Sequence, residues 1–256
     1  MSTTVQGRHQ RQAMEDSTVM DLSPDVQAII RRRLVPEIAD SFLALARPSV
    51  GFTVRAEASV SGSMIGGAPR TGPFVWPVYR EAPMLLLAQV DCAQMASILG
   101  AEWSFPRQGY LLFFHDEEFS ATYDYEQGDD GCQVLHLPAG SGAEAAVTMP
   151  ALPLDATLMP SLPDLRDDAD KALGIHIVEL IDLLEELRPL SPASRHRLLG
   201  YCDTDTSHPP GHRPLLQVEA EPGTAWGEVV NVSFWIPDAD LRAGRLDRVR
   251  RCYEVA

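Results

Sequence analysis

His115 stands beside Asp116, Glu117 and Glu118, and this nitrogen and oxygen donor set is the first feature of the chain that could do chemistry. Such donors suit a divalent metal. Consecutive residues on a strand point to opposite faces, however, so the four cannot converge, and no metal is expected there. His208-Pro209-Pro210-Gly211-His212 sets two candidate ligands four apart, but on Pro and Gly rather than on a helix, which predicts a surface turn. Asp203, Asp205 and Asp129-Asp130 lack the calcium-loop pattern of an EF-hand and read as solvated turns. Ser61-Gly62-Ser63 and Gly66-Gly67 are followed by no lysine at P-loop spacing, and no GxGxxG or GxSxG string is present. Gly66-Gly67 is expected to make a tight turn. The motifs therefore single out no catalytic residue, no metal and no cofactor.

The carboxylates are more informative as a group. Between Asp116 and Glu186 there are seventeen Asp or Glu, against Arg166 and Lys171 as the only bases. The net charge of −15 thus sits in one stretch, and the rest of the 256 residues is formally neutral. A field of one sign attracts a cationic partner and opposes nucleic acid and anionic membrane. The carboxylates expected to meet such a partner are Asp116, Glu117, Glu118, Asp124, Asp129 and Asp130, followed by Glu179, Asp182 and Glu186.

Positioning these groups requires elements, and the residue pattern predicts them. Met1 to Leu22 is polar, lacks the apolar core of a secretion signal and is expected to be a disordered tail. Ser23-Pro24-Asp25 starts a helix that Pro36 kinks or splits, and Arg31-Arg32-Arg33 reads as a solvated helix face. Gly51–Ser59, Pro83–Val90, Tyr110–Phe114, Cys132–Leu137, Leu215–Glu219 and Val229–Ile236 read as strands, and Phe119–Gly131 as strand and turn. Cys92–Leu99 reads as a short helix, and Asp238–Leu246 as a final short helix or turn. Gly140–Leu162, studded with proline, reads as linker or irregular structure. A second long helix begins at Pro163-Asp164, with Leu173, Ile177, Leu180, Leu184 and Leu187 as its apolar stripe. The class expected is α+β, a β-rich antiparallel body with an N-terminal helix and a long amphipathic helix. Residues 23–256 are expected to form a single domain with an N-terminal helix. Cys92, Cys132, Cys202 and Cys252 have neither CxxC nor zinc-finger spacing and read as free thiols. With no apolar run of membrane-spanning length, a cytoplasmic location is expected.

The chain also echoes itself. Leu86-Leu87-Ala88-Gln89-Val90-Asp91 resembles Leu215-Leu216-Gln217-Val218-Glu219, with the glutamines 128 residues apart. Each string precedes an aromatic strand that ends in acids. Two related β units are expected, with Gln89 and Gln217 bonded to nearby backbone. Trp76 and Trp226 fall at loop-to-strand junctions, where an indole can line a cleft. A small-ligand-binding domain or hydrolase would use Trp76, Gln89, Gln217 and Trp226 in such a cleft.

Several blocks resemble the YwqG-like family, a bacterial domain of unknown function. They are Ile65-Gly66-Gly67-Ala68-Pro69, Phe74-Val75-Trp76-Pro77, Leu87-Ala88-Gln89-Val90-Asp91 and Gly109 to Phe114, followed by His196-Arg197-Leu198-Leu199-Gly200-Tyr201. Leu215-Leu216-Gln217-Val218, Trp226-Gly227-Glu228, Phe234-Trp235-Ile236 and Asp240 to Val249 complete the set. The resemblance implies an α+β body rich in antiparallel β structure and transfers no catalytic residues. Some relatives look like immunity proteins encoded beside bacterial toxins. The leading expectation is therefore an intracellular, non-enzymatic immunity protein whose acidic surface neutralises a cognate toxin with a basic surface.

Overall fold

Local chemistry sets the first helices. Ser23 Oγ accepts the Val26 N–H at 3.3 Å and Pro24 takes the first helical position, so α1 runs Pro24–Arg33. Val35 is held extended before Pro36, and a separate α2, Pro36–Ala44, begins there. The proline splits the helix. In this computed structural model the described residues are 22–55, 62–116, 131–147, 149–163, 169–190, 195–202, 209–222 and 229–255. The expected tail lies outside them except for Leu22, which is buried in the helical core.

Twelve strands follow among the described residues. They are β1 Arg47–Val54, β2 Met64–Ile65, β3 Val78–Tyr79, β4 Ala82–Pro83, β5 Leu85–Asp91, β6 Tyr110–His115, β7 Cys132–Leu137, β8 Leu152–Ser161, β9 His196–Leu199, β10 His212–Glu219, β11 Val229–Pro237 and β12 Arg250–Val255. Four further helices are α3 Cys92–Leu99, α4 Ala169–Leu173, α5 Ile177–Leu187 and α6 Asp238–Ala243. Asp91 caps α3 by accepting the N–H groups of Ala93 and Gln94. The class is α+β, with ten strands in one antiparallel sheet ordered β12-β11-β10-β9-β1-β8-β2-β5-β6-β7. The sheet curls until its two ends nearly meet. Phe113 of β6 packs edge-on against Phe234 of β11 at 5.1 Å, and Cys132 Sγ lies 3.5 Å from the Val249 carbonyl oxygen. One apolar core fills the curl, and Val26, Ile30, Phe42, Leu180, Leu183 and Leu187 build a second between the helices.

Two expectations fail here. Gly140–Leu162 is not all linker, because β8 occupies the centre of the sheet. Its Pro160 faces Pro48 of β1. Two prolines can oppose each other at a pair that exchanges no N–H···O bonds, so neither breaks the ladder. The second long helix is two helices, with Gly174 at φ +66° between them. That left-handed residue resets the helical phase. The buried stripe of α5 becomes Leu180, Leu183 and Leu187, and Ile177 is 47% exposed. Four further strands, β2, β3, β9 and β12, lie where no strand is expected.

The echo has a spatial counterpart. From the central pair β1–β8, the order runs β9, β10, β11, β12 one way and β2, β5, β6, β7 the other. Gln89 sits between Met64 and Leu112, and Gln217 between Arg197 and Ser233. A register shift falls at Leu86/Ala88 in one half and at Pro214/Leu216 in the other. Both flanking strands end on two left-handed residues, Gly66-Gly67 and Leu199-Gly200. A Cβ on Gly200 would lie 2.8 Å from the side chains of Ser49 and Ser161, which explains why the turn is glycine at that point.

Candidate functional site

The acidic residues do not share one environment. Asp116 is the clear correction to the expected exposed set: it is buried and bonded to Arg251 Nη1 of β12, with the two side chains 6% and 1% exposed. It closes the gap between the sheet ends, where removal from water is tolerated because the charge is paired. Glu117, Glu118, Asp124, Asp129 and Asp130 lie outside the described residues, as does the expected Phe119–Gly131 strand and turn apart from its last residue. Glu186 is engaged by Arg32 and, at 2.6 Å, by Arg33 Nε, and these bonds hold its carboxyl below the ordinary value. The arginine run is thus a paired helix face, with Arg31 bonded to Asp40. Glu179 and Asp182 are exposed on α5, joined by the exposed Glu185. Ile177 and Val178 lie exposed beside them. This face combines three carboxylates with two apolar side chains.

The residues of the expected cleft are held by the framework. Gln89 is fully buried, and its amide donates to the carbonyls of Gly66 and Ala68 at 3.0 Å while its oxygen accepts the Arg70 N–H at 3.0 Å. Gln217 is buried and its oxygen accepts from Cys202 Sγ at 3.2 Å. Half-buried Trp76 donates to the Met84 carbonyl at 2.8 Å and packs against Phe74 and Phe114. Trp226 lies outside the described residues.

Three ionisable clusters escape the linear reading because their members are far apart or lack a motif. The first contains His115 and Asp116–Arg251. His115 donates from Nδ1 to the Asp116 carbonyl at 2.9 Å, and burial with nearby Arg251 pushes its imidazole down to about 3. The second is His196, whose Nδ1 accepts the Glu219 N–H at 3.2 Å and whose Nε2–H donates to Glu221 at 3.1 Å. Burial lowers this imidazole too. The pair connects like an acid–base dyad, but the accepting nitrogen is taken by backbone. The third is Asp240, buried beneath Arg248 at 2.6 Å and Arg245 at 3.0 Å, whose hydrogen bonds bring its carboxyl down to about 2. It lies in the closing block Asp240 to Val249, so the sequence carries a signal for it. Burial likewise raises the Cys92 thiol to about 12, which makes it inert at neutral pH. Among the described residues no group of three or more His, Cys, Asp and Glu is placed to hold a metal.

Two neutral buried imidazoles make stability depend on pH. In the folded chain His115 and His196 sit below their ordinary value, so below about pH 6.5 the unfolded chain binds more protons than the folded one. Stability is expected to fall on acidification from that point, with a slope of up to about 1.4 kcal/mol per pH unit for each histidine. Urea unfolding between neutral pH and pH 5 measures it, with His115→Phe losing part of the slope. A flat profile would contradict the neutral assignment.

These features define an α+β protein whose sheet interior is packed with apolar side chains and whose buried carboxylates Asp116 and Asp240 are held by arginines. A family model described as Domain of unknown function (DUF1963) matches residues 63–254, and the chain belongs to that family. No curated protein matches it.

Proposed function

We propose that this is a binding protein, an immunity protein that neutralises a cognate bacterial toxin by covering a basic surface of it. The observation that carries this reading is the outer face of α5, where exposed Glu179, Asp182 and Glu185 flank exposed Ile177 and Val178. None of the three carboxylates has an ion-pair partner among the described residues. Apolar side chains ringed by charge are the composition of a contact patch, in which the apolar groups supply affinity and the charges supply speed and selectivity. The resemblance to YwqG-like proteins, some of which look like toxin immunity proteins, supports the same reading. So does the placement of net charge in the stretch that contains α5.

No helix among the described residues is long and apolar enough to cross a membrane. None of the four cysteines is joined in a disulfide, in keeping with a reducing cytoplasm. The test is pull-down with the product of the neighbouring gene, repeated across a salt series. Reversing Glu179, Asp182 and Glu185 to lysine is expected to slow association about tenfold or more at low salt, with the difference shrinking as salt rises. Replacing Val178 by Asp is expected to speed dissociation instead. Unchanged kinetics in both variants would remove α5 from the interface.

A further inference from the structure

We propose that Arg47, Tyr201, Arg213 and Arg242 form a binding site for a doubly charged phosphate group on a small molecule. β1, β9, β10 and β11 are consecutive in the sheet and antiparallel, so the start of β1, the end of β9, the start of β10 and the end of β11 share one rim. Arg47 opens β1, Tyr201 lies just past β9, Arg213 is second in β10, and Asp238 follows β11 as the first residue of α6. The Arg47 guanidinium stacks over the Tyr201 ring at 4.1 Å. That ring is a fixed platform. Its hydroxyl donates to the Leu45 carbonyl at 2.8 Å, its N–H donates to Ser161 Oγ at 2.9 Å, and its carbonyl accepts from Arg197 at 3.1 Å. Arg213 Nε lies 2.6 Å from Asp238 Oδ1, with its side chain 28% exposed. Arg242 stands one turn beyond Asp238, on the same side of α6.

The described charge at this rim is unbalanced. Arg32, Arg33, Arg55, Arg195, Arg245, Arg248 and Arg251 all pair with carboxylates. Here Arg47, Arg213 and Arg242 share the rim with one described carboxylate, Asp238. Among the described residues Arg47 and Arg242 have no carboxylate partner. Burial, then the repulsion of Arg47, lowers the Arg213 guanidinium below its ordinary value, which agrees with a crowd of like charges. Among the described residues, Arg47, Arg213 and Arg242 against Asp238 leave an excess charge of two, which matches a phosphate monoester carrying about −1.5 to −2 at neutral pH and offering three acceptor oxygens to planar forks. A single carboxylate would neutralise half of it. The overall charge of −15 does not forbid the site. At physiological salt the Debye length is about 8 Å, so the nearest groups decide the local potential.

The experiment is calorimetric titration of the full chain with inorganic phosphate, phenyl phosphate and acetate at matched ionic strength. Saturable phosphate binding is expected, weakened about tenfold or more by Arg47→Gln and by Arg242→Gln. Arg195→Gln, which alters a guanidinium committed to Glu219, is expected to bind as the wild type does. Arg47→Lys keeps the charge but loses the stacked fork, and is expected to weaken binding as well. Thermal unfolding without ligand establishes that each variant folds. Tighter binding of phenyl phosphate assigns an esterified ligand, and tighter binding of inorganic phosphate assigns the free ion at the same site. Equal binding of acetate, equal affinity in the glutamine variants, or no saturable binding would overturn the proposal.

Discussion

Replacing Asp116 by alanine is expected to lower the unfolding free energy by about 3–5 kcal/mol. The cause is what it leaves behind. The Arg251 side chain is 1% exposed, and losing the Asp116 carboxylate would remove an ion pair from a guanidinium buried in the seam where the sheet ends meet. His115 adjoins the same pair, so the electrostatic environment that keeps its imidazole neutral would change too. A double variant separates removal of the pair from removal of one partner. Replacing Asp116 by Leu together with Arg251 by Met removes both ions, and is expected to come within about 1–2 kcal/mol of the wild type or exceed it. Urea unfolding of the single and double variants measures both. If Asp116→Ala unfolded like the wild type, the seam would not depend on this pair.

Gln89→Leu is expected to cost about 2–4 kcal/mol. Leucine nearly matches glutamine in size, so packing changes little. Lost instead are two donors and one acceptor that hold the chain from Gly66 to Arg70 against β5. Buried backbone groups left without partners carry their full desolvation penalty. Gln89→Glu would also remove the amide donors and bring a charge into the core, and is expected to be at least as damaging. Equilibrium unfolding distinguishes this framework role from a place in a ligand cleft. A cleft residue would leave stability near the wild type and change ligand binding alone.

Much of the fold is legible because its causes are local. Ser23-Pro24 caps α1 and Pro36 splits the helix by steric rules that act within a few residues. Cys92–Leu99 and Cys132–Leu137 are recovered to the residue, since an acidic cap and an alternating apolar run need no distant partner. The echo around Gln89 and Gln217 is legible for a related reason: each glutamine occupies the same place in a strand pair, with a register shift just before it. β8 is hidden because its prolines argue against a strand until Pro48 is seen opposite Pro160. The phase of α5 is hidden because one left-handed glycine, Gly174, resets it.

The α+β class, half of the described strands, the split N-terminal helix and the stretch that holds the net charge can all be read along the chain. Only the tertiary structure decided which carboxylates face solvent. Asp116 and Arg251 are 135 residues apart, and Glu186 and Arg33 are 153 apart. The tertiary structure likewise gathered Arg47, Tyr201, Arg213 and Arg242 at one rim. Propensity, capping and periodicity act along the chain, whereas the pairing of charges depends on which strands and helices become neighbours once the core has closed.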